Sequence, residues 1–248
     1  MAYRRKTRRK SKGRHRGSKR LSEHMVRAIK AISQIPVETK RFPLSHPFAT
    51  YLTYGAYSSG SNAIIRANIF NPIPHDDVST AFKSEESFVG SSIESRGLRW
   101  QMNGYLSSAV AKPDVWFRFT VYSENEYFAG STDGVGGVSP SDKLFDPDHD
   151  QTPTWSRWNT QIAKIHFQRK FVLGSASVGQ GSLSKKFYIP LRKKMQSADE
   201  EGTTVAGTFG EAKGMQYYWV LETLGIGLTA LGSDISAVIG TDVYFKDA

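Results

Sequence analysis

Eleven lysine and arginine side chains crowd the first twenty positions: Arg4, Arg5, Lys6, Arg8, Arg9, Lys10, Lys12, Arg14, Arg16, Lys19 and Arg20, with no Asp or Glu among them. Cations at that density attract any polyanion. Neutralising phosphates releases condensed counterions, so binding to nucleic acid is strong, indifferent to base sequence and steeply weakened by salt. A nuclear-localisation signal, a ribosomal-type tail and an arm on an anionic membrane are other uses of the same chemistry. A transit peptide fits poorly, because the charges are contiguous and the segment has almost no apolar face.

Other chemistry is sparse. Asp146, Asp148, His149 and Asp150 form an oxygen-rich cluster that reads as a solvated turn around Pro147 or as a weak calcium candidate, although the spacing does not match an EF-hand loop. Asp76-Asp77 is weaker still, and Gly134 to Gly137 lacks the strand-to-helix setting of a phosphate cradle. The sequence has no Gly-Lys dipeptide, no His-Glu-x-x-His, no Gly-x-Ser-x-Gly and six scattered His, so an enzyme is not expected and no cofactor is called for. The absence of Cys excludes disulfides, thiolate metal sites and a cysteine nucleophile.

Five tryptophans offer stacking platforms for bases. Trp100 and Trp116 lie in strand patterns and are expected in a core or between subunits, with Trp219 as the fifth; Trp155 and Trp158 approach a strand from a loop and are freer to meet a ligand. The cluster Arg192, Lys193, Lys194 after Leu191 is either solvated surface or a second phosphate contact.

The elements that must carry these residues divide the chain in three. Residues 1–20 have nothing to bury, so a disordered nucleic-acid-binding arm is expected. Residues 21–36 read as a short helix or linker, with Ser22 as cap, Met25, Val26, Ile29 and Ile32 on one stripe, and Pro36 as its end. Residues 37–248 are the expected shell domain; the 22 basic and 23 acidic residues beyond position 20 nearly cancel, and apolar residues recur in 37–248 with a period of two. In Asp114 to Ser123, Val115, Phe117, Phe119 and Val121 share one face, and Trp116, Arg118, Thr120 and Tyr122 the other. In Ile162 to Leu173 the expected apolar face is Ala163, Ile165, Phe167, Phe171 and Leu173, broken by Arg169.

Further strands are expected at Lys40 to Leu44, Ala63 to Phe70, Ile93 to Leu106, Lys185 to Leu191, Gln216 to Leu224 and Thr241 to Lys246. Eight strands without intervening long helices predict an all-β antiparallel sandwich or barrel. Residues 71–92 and 124–160 are long connections, expected to carry function, cover the sandwich ends or meet neighbouring copies. The longest apolar-leaning run, Met215 to Leu231, is interrupted by Gln216, Glu222, Gly225 and Gly227 and is too broken for a membrane span; a soluble protein is expected.

The order of features resembles the capsid proteins of circular, Rep-encoding single-stranded DNA viruses, the group that includes circoviruses and genomoviruses. The resemblance is carried by Ser95-Arg96-Gly97-Leu98-Arg99-Trp100, Asp114 to Tyr122, Lys186-Phe187-Tyr188-Ile189-Pro190-Leu191 and Thr241 to Asp247. It implies an eight-stranded single jelly roll with the segments above as strands B to I. It also implies a sixty-copy T=1 shell, a DNA genome bound by an interior arm, and a virion protein that visits the host nucleus through import factors and meets a cell-surface receptor. This arm is shorter than the longest in the group, so Lys164, Lys170 and Arg192, with Lys193 and Lys194, are further DNA-contact candidates. The same arm chemistry suits an RNA-virus coat protein, and a cellular β-sandwich module with a basic tail is the reading from another class.

Overall fold

The computed structural model describes residues 39–54, 56–59, 62–76, 85–106, 114–125, 144–145, 155, 157–174, 181–197, 208–210 and 212–248. Period-two patterning governs these residues. They form ten strands: β1 (Lys40–Pro47), β2 (Ala56–Ser59), β3 (Asn62–Asn68), β4 (Ser92–Leu106), β5 (Asp114–Asn125), β6 (Ala163–Gly174), β7 (Ser182–Ile189), β8 (Lys193–Gln196), β9 (Met215–Leu224) and β10 (Ile235–Asp247). Two seven-residue helices, α1 (Phe48–Tyr54) and α2 (Leu228–Asp234), complete them.

All strand pairings between these elements are antiparallel. One sheet runs β1-β10-β4-β7, with β8 also on β4; the other runs β2-β3-β9-β5-β6. Setting aside the short β2 and β8 and lettering the rest B to I in chain order gives B-I-D-G and C-H-E-F, the strand order of a jelly roll. All eight segments expected from the sequence are present. The all-β jelly-roll reading therefore holds for the described body, whose compact unit spans Thr39–Ala248.

Aromatic residues from the inner faces join the sheets. Trp100 of β4 is fully buried and stacks on Phe119 of β5 at 4.2 Å between ring centroids, with Phe187 of β7 at 5.8 Å from Trp100 and 5.5 Å from Phe119. Such offset rings add to the area they bury. Pro43 and Pro47 fit in β1 because it is an edge strand, paired only with β10, where a missing N–H costs no second ladder. Part of the long connection at 71–92 closes one end of the core: His75 bridges Phe88 and Pro74 bridges Thr208, with Ile73, Phe88 and Phe209 buried.

Three features depart from the sequence reading. The ladder between β5 and β6 shifts register at Val121/Tyr122, leaving His166 as an extra residue, and Ile165 turns out to 39% exposure instead of joining the core face. Trp158, expected to be freer to meet a ligand, is buried, and of the two places expected for Trp116, a core or a contact between subunits, its 44% exposure excludes the core. The outer face of the β5 sheet is also not open throughout: Leu144, Phe145 and Trp158 lie on Ile64, Tyr122, Tyr218 and Val220 in a second apolar cluster. The 21–36 helix, the arm and the Asp146–Asp150 turn lie outside the described residues.

Candidate nucleic-acid interface

The outer face of the β1-β10-β4-β7 sheet follows from register. Pro43, Asp242, Arg99 and Tyr188 form one transverse row; Arg41, Tyr244 and Gly97 form the next; Gly240, Gln101 and Lys186 lie on the other side. Beyond a second bulge at Tyr244/Phe245, Lys246, Glu94 and Lys194 align, with Arg96 beside Glu94 at 3.0 Å. Among the described residues this face carries six cations, Arg41, Arg96, Arg99, Lys186, Lys194 and Lys246, against two carboxylates, Glu94 and Asp242. A surplus of four on one face of a nearly neutral body is a local positive field.

Asp242 organises its centre. Its Oδ1 accepts from Arg41 Nη2 at 2.8 Å, and its Oδ2 lies 3.3 Å from Arg99 Nη1; Arg99 Nη2 also donates to Gln101 Oε1 at 3.2 Å. The bond to Asp242 raises the Arg41 pKa above its ordinary value, and the carboxylate's charge adds to the effect. One carboxylate thus positions two guanidinium groups without cancelling both, and Arg41 remains half-exposed.

Aromatic surface lies beside these charges. Tyr188 is 58% exposed and its ring centroid is 6.1 Å from that of Tyr244. Tyr188 lies across Gly97, where a Cβ would meet the phenol oxygen at 2.7 Å. Gly240 similarly makes room for the Gln101 amide, 2.9 Å from an added Cβ. The result is a surface of guanidinium, ammonium and phenol groups, a combination that suits phosphates and unstacked bases.

The structure separates the other candidates. Lys194 belongs to this face, and Arg192 is exposed just before it. Lys164 and Lys193 both act on His166, which stacks on Tyr217 at 5.5 Å and lies 2.8 Å from Ser123 Oγ. Burial first, then those two lysines, hold the His166 pKa below its ordinary value. The Ser123–His166 pair has the spacing of a nucleophile and base, but Ser123 is 1% exposed and the charges acting on His166 are cationic.

Lys170 belongs to the opposite sheet, its Nζ 5.1 Å from the Trp155 ring, with the Arg118 guanidinium 5.2 Å from the same ring. Buried ion pairs lie nearby: Arg118 with Glu222, and Arg66 with Glu124 at 2.5 Å, the latter carboxylate also accepting from Tyr122 at 2.9 Å. Arg4 through Arg20, Asp146, Asp148 and Asp150 lie outside the described residues, among which no group of three His, Asp or Glu is placed to hold a metal. Sequence reading missed Arg41, Arg99, Lys186, Tyr188 and Tyr244 as a set. Their only signal is that each occupies the polar phase of an alternating strand; it takes the register to bring them together.

No protein-family model matches the sequence, and no curated protein matches it. Among solved structures, the chain is similar to the 60-mer BFDV capsid protein at 13% identity, covering 85% of this chain and 92% of that one, with a TM-score of 0.32. It is also similar to the VP2 subviral particle of infectious bursal disease virus at 10% identity, covering 85% of this chain and 42% of that one, with a TM-score of 0.19.

Proposed function

We propose that this chain is the capsid subunit of a small icosahedral virus of the circular, Rep-encoding single-stranded DNA group, assembling as sixty copies in a T=1 shell. The carrying observation is the partition of charge: an acid-free leader with eleven cations is joined to a jelly-roll body whose own charges, 22 basic and 23 acidic beyond residue 20, nearly cancel. A leader of that composition binds phosphates regardless of base sequence, which is what packaging a whole genome needs. Sixty copies bring about 660 leader charges to one particle, enough to offset a substantial part of a small genome's phosphates. The basic face around Arg99 and Tyr188 is the body's contact with the same strand, and the leader doubles as a nuclear-import signal.

The test uses full-length protein expressed and purified at moderate salt. Electron microscopy is expected to show particles of uniform diameter, and the retained nucleic acid to be degraded by DNase rather than RNase. Deleting residues 2–20 removes most retention while leaving the sandwich folded by circular dichroism. Adding Arg99→Ala and Lys186→Ala to that deletion lowers the residual, salt-sensitive oligonucleotide binding further. A monomer indifferent to oligonucleotide and to salt would overturn the reading.

A further inference from the structure

The hydroxyl groups of the leader are in register with its charges. Thr7 follows Arg4-Arg5 at minus three and minus two, Ser11 follows Arg8-Arg9, Ser18 follows His15-Arg16 and Ser22 follows Lys19-Arg20. These are all the Ser and Thr of residues 1–22, and none of the Ser or Thr residues from 23 to 248 has a basic residue at both positions. Partial matches occur at Ser33, Thr120, Thr152, Thr160 and Ser197; Thr160, three after Arg157, is exposed in a turn, and two of the others are closed off by the fold. Ser197, three after Lys194, is buried with its Oγ on the Phe209 carbonyl at 2.8 Å, and Thr120, two after Arg118, is fully buried in β5. Their backbones are also engaged in strand or bridge pairing, whereas a kinase must lay its substrate out as a separate extended segment.

We propose that Thr7, Ser11, Ser18 and Ser22 are acceptors for a basophilic serine/threonine kinase, and that their phosphorylation switches off the leader's grip on nucleic acid. The proposal rests on the packaging reading and adds its regulation. In each transfer the side-chain oxygen attacks the γ-phosphorus of MgATP and the bond to ADP breaks. The hydroxyl proton leaves through the kinase's base to solvent. Each phosphate adds roughly −1.5 to −2, so four bring the leader from +11 to about +3 to +5. The cations on the Arg99 face are untouched.

Full-length protein is incubated with MgATP and a kinase that prefers arginine two and three residues before its acceptor. Intact mass and peptide mapping are expected to show up to four additions of about 80 Da, confined to these positions. Single-stranded DNA binding is then measured against salt. With about 0.7 of a logarithmic unit per phosphate contact on a single strand, the slope falls from at most about 8 to about 2–4. The Thr7→Ala/Ser11→Ala/Ser18→Ala/Ser22→Ala variant keeps the steep slope after the same treatment.

Absence of incorporation, incorporation chiefly in the body, or full incorporation with an unchanged slope overturns the proposal. Failure of the unmodified chain to bind DNA would instead sink the packaging reading, and the regulatory consequence with it, while mass alone still decides whether the four hydroxyls are acceptors.

Discussion

Asp242 and His166 show how single side chains acquire their character from the strands beside them. Asp242 is 7% exposed, and Arg41 and Arg99 reach it from the two neighbouring strands, so the same contact that satisfies the carboxylate fixes two guanidinium groups on an open face. Among the described residues, the charges that act on His166 are those of Lys164 and Lys193. Its pKa is lowered from 6.5 by burial and two lysines, so below pH 6.5 the unfolded chain binds the proton more readily than the folded one. The stabilisation is complete above that value and is lost as pH falls toward the folded pKa. Urea unfolding of wild type and His166→Gln between pH 8 and pH 5 is expected to converge as the pH drops, the wild type losing stability more steeply; parallel profiles would show that His166 does not titrate across this window.

Strand β5 separates two environments. Its inner residues Val115, Phe117, Phe119 and Val121 fill the main core, and its outer face holds Arg118 and Glu124 in buried ion pairs and Tyr122 under Trp158. Removing one member of such a pair strands the other charge, so Glu222→Ala is expected to cost about 3–5 kcal/mol in chemical denaturation, whereas Arg118→Met with Glu222→Leu costs far less. Equal losses in the two variants would mean that packing, not charge, sets the cost. The eight principal strands were legible because alternation is local. The covering by Leu144, Phe145 and Trp158 was not, since it joins residues far apart in the chain, and the bulge at His166 broke the period that placed Ile165 inside. The leader's charge was readable from composition, but the Arg41, Arg99 and Tyr188 surface required knowing that β1, β10, β4 and β7 lie side by side.

For the whole chain, the arrangement of edges bears on how copies meet. β6, with Lys164, Arg169 and Lys170, ends one sheet opposite the four-residue β2; β1, with Pro43 and Pro47, ends the other opposite the lysine-bearing β7 and β8, so the sheet ends are guarded by charge, proline or shortness against adding a strand from another molecule. In the shell proposed above, contacts between copies fall to faces and loops; Tyr105, Trp116, Met215 and Val238 are each 44–46% exposed. Heterologous contacts of that kind make finite shells when their rotations close. Analytical ultracentrifugation of the full-length protein, followed at 260 and 280 nm, tests this most directly. The account predicts one fast boundary near the mass of sixty 27.6 kDa subunits, with co-sedimenting nucleic acid, most of which is lost when residues 2–20 are deleted. A single 27.6 kDa species at all concentrations and salt levels, free of nucleic acid, would contradict it.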